Sequence, residues 1–155
     1  MSQNIDWNDM RQDIQITSIK DEKIVGARLL QTSKGRLAEK KLLLEGKEQI
    51  LWAIQNNCQV DYVFVHDKEK DAEFSKELRS KNLLLCLCSD GILKKITDTS
   101  YLVPFVAVAN AMQQKDFQND FVVVLDGLHD FGNIGTIIRT AAAFGIHDFV
   151  ATDEN

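Results

Sequence analysis

The sequence predicts an α/β fold, with a three-layer α/β/α domain at residues 16–109, a polar linker at 110–120 and a strand–helix–strand unit at 121–155. Two observations support this prediction. Short apolar segments rich in β-branched residues alternate with helical segments through the first part, which is typical of a sheet with helices on both faces. Near the other end, Val122–Leu125 has the continuous apolar pattern of a covered strand, and a polar, glycine-containing loop and a helix follow it.

The elements of the first domain are predicted in chain order. Residues 1–15 carry no strong periodicity and are expected to form a flexible arm. A helix from Lys20 to about Thr32 follows, with Val25, Leu29 and Leu30 on its inner side. The remaining patterns predict strands at 42–44, Val60–His66, 83–87 and 105–109, and helices at 46–56, 69–80 and 90–96.

The composition is that of an ordinary globular protein, with 45% hydrophobic residues among 155. No apolar run approaches the roughly 18 residues of a membrane span, and the polar N-terminus does not resemble a secretory signal. We therefore expect a cytoplasmic protein with no membrane partner. The three cysteines are odd in number and lack zinc-ligand spacing, so we expect buried, reduced thiols and assign no metal site.

Positive charge is concentrated early in the chain. Between Lys20 and Glu48, eight Lys and Arg residues stand against five Asp and Glu, whereas from Asn110 onwards there are two against seven. The segment 33–41, SKGRLAEKK, is predicted to be a basic loop, for which two interpretations stay open. It is either a solvated loop or a loop that contacts RNA phosphate, and the residues that would do so are Lys34, Arg36, Lys40 and Lys41.

The helix predicted at 133–144 has an apolar side. Asn133 is a favoured N-cap residue, and Gly145 ends the helix before a strand predicted at 147–152. A buried stripe is expected from the apolar residues that recur at helical spacing, which are Ile134, Ile137, Ile138, Ala141 and Phe144.

The opposite side of this helix carries an arginine among small residues. Arg139 lies about 140° around the helix from Ile134, and Gly135, Thr136 and Ala143 line the same side as Arg139. Such an arginine can be approached closely by a ligand or a partner helix. A solvated surface arginine is the alternative.

The segment 125–145, LDGLHDFGNIGTIIRTAAAFG, resembles the first signature motif of the SpoU (TrmH-type) branch of the SPOUT RNA 2′-O-ribose methyltransferases. That motif typically reads D-P-x-N-x-G-x-I-x-R-T-A-x-x-F-G. The matching positions are Asp130, Asn133, Gly135, Ile137, Arg139, Thr140, Ala141, Phe144 and Gly145. Phe131 stands where many members have proline. The form LDG…GNIG…RT is similar to the thiostrepton-resistance type of ribosomal RNA methyltransferase.

The resemblance implies a function and a set of site residues. The family transfers a methyl group from S-adenosylmethionine to a ribose 2′-hydroxyl of RNA, here rRNA or tRNA, and requires no metal. Arg139 would stabilise the developing alkoxide and hold the adjacent phosphate, while Asn133 would orient groups beside it. The order ITS…ARLL…SKGR…LLLEGKE resembles the substrate-binding domain of such proteins, which is similar to ribosomal proteins that bind kink-turns. The complete protein is implied to be a homodimer.

The resemblance also predicts what these 155 residues lack. In the family, two later motifs bind the methyl donor and thread into a C-terminal knot, and neither is present by Asn155. The chain is therefore expected to hold a substrate domain and the first β-α-β of a knotted SPOUT domain, to bind no S-adenosylmethionine and to be inactive alone. The alternative is a non-catalytic RNA-binding or interaction module that uses residues 16–109.

Overall fold

The computed structural model describes residues 12–97, 99–111, 116–117 and 120–152. The chain divides into two compact units, residues 1–112 and residues 113–155. This division falls inside the predicted linker at 110–120, and part of that linker, like most of the predicted arm, lies outside the described residues.

A five-stranded mixed sheet forms the centre of the first unit. Its strands are β1 (Ile14–Ile16), β2 (Lys41–Glu45), β3 (Val60–His66), β4 (Leu84–Cys88) and β5 (Phe105–Asn110). They lie in the order β1-β4-β3-β5-β2, with β4 parallel to β1 and β3, and β5 antiparallel to β3 and β2. The strand predicted at Val60–His66 is confirmed at both ends.

Strand β1 corrects the predicted arm. It begins at Ile14, two residues before the predicted start of the domain, and pairs with β4. The Gln15 side-chain amide donates to Asp67 Oδ1 at 2.9 Å, and Arg79 Nη2 donates to Asp13 Oδ2 at 2.6 Å. These partners lie more than 50 positions along the chain, so local periodicity gives no sign of them.

Helices cover both faces of the sheet. They are α1 (Glu22–Leu29), α2 (Ser33–Glu39), α3 (Lys47–Gln55), α4 (Glu73–Ser80) and α5 (Asp90–Leu93). Ile24 of α1 and Leu93 of α5 pack in one buried cluster with Phe64, whereas α3 and α4 pack in a second cluster with Val63 and Val65. Because successive residues of β3 point to opposite clusters, the unit has three layers, with helices on either side of the sheet.

Helix α1 turns a different side inward from the one predicted. Ile24 and Ala27 are fully buried, while Val25 and Leu29 are 47% and 51% exposed, so their predicted inward position is wrong. The Asp21 carboxylate caps the helix by accepting the Lys23 N–H at 2.9 Å. The small Ala27 side chain allows a close approach of the helix to the sheet, and Leu30 is buried as predicted.

The predicted basic loop at 33–41 is also wrong, because its first seven residues form α2. The Thr32 hydroxyl accepts the Gly35 N–H at 3.1 Å, which caps the helix, and Lys40 ends it with a left-handed φ of 51°. A Cβ at Gly35 would lie 2.6 Å from the carbonyl carbon of Leu29. Glycine is therefore required by the close approach of α2 to the end of α1.

The second unit is the predicted strand–helix–strand. Strand β6 (Val122–Leu125) pairs in parallel with β7 (Asp148–Ala151), and α6 (Phe131–Ala143) connects them. Gly145 closes α6 as predicted, with φ of 81°. The Gly145 and Ile146 N–H groups donate to the carbonyls of Ala142 and Ala141, both at 3.0 Å, which is the Schellman pattern.

The predicted N-cap and apolar stripe of α6 need correction. Asp130, not Asn133, caps the helix. No residue of α6 is fully buried, and the predicted core residue Phe144 is 82% exposed. The reason is the size of the sheet, since two strands cover only part of a helix, and Ile134 and Ala141 are half-buried.

Candidate functional site

Arg139 folds back along α6 over a glycine. Its Nη2 donates to the Thr136 hydroxyl at 3.3 Å, and a Cβ at Gly135 would lie 3.1 Å from its Nη1. The Thr136 hydroxyl in turn donates to the Gly132 carbonyl at 2.8 Å, which fixes its position. The predicted framing of an exposed arginine by small residues is therefore present in the structure, and its guanidinium is held towards the start of the helix.

Asn133 lies in the first turn of α6, on the approach to this arginine. Its backbone N–H donates to Asp130 Oδ1 at 2.8 Å. The Asn133 side chain is exposed, and no partner for its amide lies among the described residues. Because Asp130 caps the helix in place of Asn133, the Asn133 amide is available for a ligand.

A hydroxyl links the carboxyl ends of the two parallel strands, which sequence reasoning missed. Thr152 Oγ1 donates to Asp126 Oδ1 at 2.5 Å and accepts the Gly127 N–H at 3.4 Å. Asp126 directly follows β6 and Thr152 directly follows β7. The signal was available, since residues that follow neighbouring parallel strands meet at one edge of the sheet. The contact holds the start of the loop that leads to α6.

The four predicted phosphate-binding residues of the first unit have different environments. Lys34 and Lys40 are exposed, and the described residues offer their ammonium groups no partner. Arg36 is half-buried, and its Nη1 donates to the carbonyls of Leu30 at 3.0 Å and Gln31 at 3.1 Å. Arg36 therefore closes the end of α1, which is a structural role.

Lys41 is also engaged within the unit. Its Nζ lies 2.7 Å from Asp61 Oδ2, and the side chains are 39% and 19% exposed. This ion pair links β2 to β3, the strands on either side of β5. Lys34 and Lys40 lie at opposite ends of α2, and they are the two of these four cations that have no internal partner among the described residues.

A cleft opens beside Arg36. It has a volume of about 340 Å³ and is lined by Leu30, Gln31, Arg36, Leu43 and Glu45. Its walls come from the end of α1, from α2 and from strand β2. The cleft thus combines an apolar floor with a fixed guanidinium and a carboxylate.

The thiols of β4 are buried and free, as expected. Cys86 and Cys88 are fully buried, and burial raises the pKa of Cys86 to about 11 and that of Cys88 to about 12. Cys58 is half-buried and free.

No cluster of His, Cys, Asp and Glu suited to a metal ion occurs in the part of the chain that the structure describes. None of the helices in that part is long and apolar enough to cross a membrane.

Comparison with known proteins identifies the first unit. A family model described as the MRM3-like substrate binding domain matches residues 21–102. The 23S rRNA (guanosine(2553)-2′-O)-methyltransferase RlmP of Bacillus subtilis (strain 168) is 27% identical over 139 residues, which are 90% of this chain and 54% of the relative. An uncharacterized tRNA/rRNA methyltransferase, slr1673, of Synechocystis sp. is 29% identical over 138 residues, covering 84% of this chain and 50% of that protein. The chain spans about half the length of both curated relatives.

Solved structures give the same result. A crystal structure of an RNA 2′-O ribose methyltransferase has a TM-score of 0.70 at 25% identity and covers 92% of this chain and 57% of its own. The SpoU methyltransferase AviRb of Streptomyces viridochromogenes, solved with AdoMet, has a TM-score of 0.71 at 21% identity, with 85% and 53% covered, and shows the same fold. These relatives do not favour a non-catalytic interaction module. The chain belongs to the SpoU (TrmH-type) family of RNA methyltransferases and carries its MRM3-like substrate-binding domain.

Proposed function

We propose that this chain acts in methylation of a ribose 2′-hydroxyl in rRNA or tRNA, with the first unit binding the RNA and Arg139 facing the reacting ribose. The observation that carries the proposal is the guanidinium of Arg139, held over Gly135 by the Thr136 hydroxyl. The two curated relatives, one an rRNA 2′-O-methyltransferase and the other a tRNA/rRNA methyltransferase, support RNA as the substrate class.

The chemistry suits an arginine in this position. In 2′-O-methylation the ribose oxygen would bond to the methyl carbon of S-adenosylmethionine as the bond from that carbon to sulfur breaks, which leaves a neutral thioether, and the hydroxyl proton would pass to water. The hydroxyl is a weak acid, so a fixed cation beside the oxygen lowers the barrier by stabilising the charge that develops. The fork of donors in a guanidinium also holds the neighbouring phosphate in two-point contact.

Arg139 fits the RNA rather than the methyl donor. The sulfonium of S-adenosylmethionine is positive, as is the guanidinium, so the two repel, whereas phosphate and alkoxide are attracted. Asn133 has an exposed amide that can donate to and accept from a ribose or a phosphate. We assign Asn133 to orienting the RNA beside Arg139.

Finer features follow from the resemblance and remain proposals. We propose that the first unit binds structured RNA as the kink-turn-binding ribosomal proteins do, and that the second unit is the first β-α-β of a knotted domain. We also propose that the complete protein is a homodimer that works in the cytoplasm, where rRNA and tRNA are found.

The proposal is tested by titrating the chain with a labelled RNA hairpin and with the DNA hairpin of the same sequence. We expect RNA to bind more tightly, with an affinity that falls as salt rises, and the Lys34→Ala/Lys40→Ala variant to bind less tightly. No binding, or equal binding of DNA, would contradict it.

The role of Arg139 is followed by the NMR signal of its Nε–H, which should shift when RNA is added. An unshifted signal at saturating RNA would remove Arg139 from the site.

A further inference from the structure

The two helical layers of the first unit differ in charge. In the segments 20–40 and 89–96, which contain α1, α2 and α5, eight Lys and Arg residues stand against four Asp and Glu. In the segments 47–55 and 67–81, which contain α3 and α4, there are six of each. The layer of α1, α2 and α5 is therefore positive, while the opposite layer is balanced.

Four of the six cations of the balanced layer have a side-chain partner within the domain. Lys76 and Lys81 pair with glutamates on α4 at 3.9 and 4.0 Å, and Arg79 pairs with Asp13. Lys47 lies 4.9 Å from the centre of the Phe105 ring. Lys68 and Lys70 are exposed and have no side-chain partner among the described residues, so this side differs from the positive layer chiefly in net charge, which is zero here (six minus six) against +4 there (eight minus four).

The positive layer is different, because most of its cations have no partner among the described residues. Six exposed cations of this layer have no hydrogen bond, ion pair or ring contact through their side chains within the described residues: Lys20, Arg28, Lys34, Lys40, Lys94 and Lys95. All six lie on elements that pack against the same side of the sheet, or on segments adjoining them. Lys94 and Lys95 follow α5, whose Ile92 and Leu93 are buried, and so they stand on its outer side.

We infer that the RNA surface of the first unit is this whole positive layer, and that Lys94 and Lys95 are phosphate-contacting residues of it. The inference rests on the proposed RNA-binding function. It extends the surface from α2 to a helix more than 50 positions further along the chain. An array of unpaired cations on one layer attracts a polyanion, and each phosphate contact releases counterions. Because Arg36 and Lys41 are committed to internal contacts, these two lysines supply charge that α2 alone lacks.

The test compares two variants with the same change of charge. Lys94→Ala/Lys95→Ala removes two positive charges from the positive layer, and Lys76→Ala/Lys81→Ala removes two from the opposite layer. Affinity for the RNA hairpin is measured by fluorescence anisotropy between about 50 and 300 mM KCl. We expect the first variant to bind roughly tenfold more weakly at low salt, with a slope of log affinity against log salt flatter by about 1.5 to 2. The second should stay within about twofold of the wild type.

A charge-preserving variant separates binding from folding. Lys94→Arg/Lys95→Arg should keep the wild-type slope, and urea unfolding of all variants reports whether the short α5 is retained. A wild-type slope in folded Lys94→Ala/Lys95→Ala would overturn the inference and leave the proposed function standing. Absence of RNA binding by the wild-type chain would overturn both. An equal loss in the Lys76→Ala/Lys81→Ala control would also overturn it, since the layers would then not differ.

Discussion

Two glycines of the first unit, both inside helices, should respond to alanine in opposite directions. Gly26 lies in α1, and a Cβ built there meets no atom within 4 Å. Gly35 lies in α2, and a Cβ built there meets the carbonyl carbon of Leu29 at 2.6 Å and the Thr32 hydroxyl at 3.1 Å. Helix propensity alone favours alanine at both positions by up to about 1 kcal/mol, so the sign of the difference depends on packing.

The loss of stability expected for Gly35→Ala follows from how far α2 must move to accommodate the new methyl group. Ordinary van der Waals contact begins at 3.4 Å, about 0.8 Å beyond the distance to the Leu29 carbonyl carbon, and the Leu29 carbonyl oxygen lies nearer still. The first turn of α2 must therefore move by about an ångström or more away from backbone that cannot rotate aside. Forcing a methyl group into such a contact costs about 1 to 3 kcal/mol. The shift also weakens the Thr32 cap, an interaction typically worth about 1 kcal/mol. After the gain in helix propensity, we expect a net loss of about 2 kcal/mol, and for Gly26→Ala a gain of about 0.5 to 1 kcal/mol.

Urea unfolding followed by far-ultraviolet circular dichroism measures both variants. With a slope of about 1.5 kcal/mol per molar urea, the two midpoints should differ by roughly 2 M. RNA affinity of Gly35→Ala should also fall, because α2 carries Lys34 and Lys40. A Gly35→Ala protein as stable as the wild type, or more stable, would refute the close approach of α2 to α1.

Four further outcomes are expected. Gly135→Ala should move the Arg139 Nε–H signal while leaving stability unchanged or raised by up to about 1 kcal/mol, since the new methyl meets the end of the Arg139 side chain and not backbone; an unmoved signal would contradict the packing. The free energy of unfolding should fall as pH rises from about 9, because burial raises the pKa of Tyr62 to about 12, of Cys86 to about 11 and of Cys88 to about 12. Above that pH the unfolded chain releases protons that the native chain keeps. Urea midpoints between pH 8 and 11 check this, and a flat profile would count against it. Amide exchange in a monomeric sample should be slower in β3 than in β6, and equal rates would show that the second unit is better covered than described. The Arg139 Nε–H signal should not move when S-adenosylmethionine is added, because the positive sulfonium and the guanidinium repel each other, and a shift would contradict the assignment of Arg139 to the RNA.

Most strands and the strand–helix–strand unit could be predicted from the sequence because they depend on local residue patterns. Val60–His66 and Val122–Leu125 were predicted at both ends, the first from its β-branched and aromatic residues and the second from its continuous apolar pattern. Strand β1 was missed because it is three residues long and depends on partners beyond residue 60. Strand β1 forms because β4 supplies its hydrogen-bonding partners.

The errors at the candidate sites have a different physical origin. A basic segment containing glycine reads as a loop, yet α2 forms because Thr32 caps it and Gly35 allows it to approach α1. Two good capping residues, Asp130 and Asn133, stand near the start of α6, and the chain uses the earlier one. The internal bonds of Arg36 join residues that are close in sequence, but the sequence does not tell whether a side chain is committed to its own domain or left for a ligand.

The most direct test of the account is to map where RNA contacts the chain. A hairpin RNA carrying photoreactive uridines is bound to the chain and irradiated, and the cross-linked peptides are identified by mass spectrometry. We expect cross-links in the segments 20–40 and 89–96, with a further site on α6 near Arg139 that is lost in Arg139→Ala. Cross-links concentrated on α3 and α4, with none on α1, α2 or α5, would contradict the claim that the positive layer of the first unit binds the RNA.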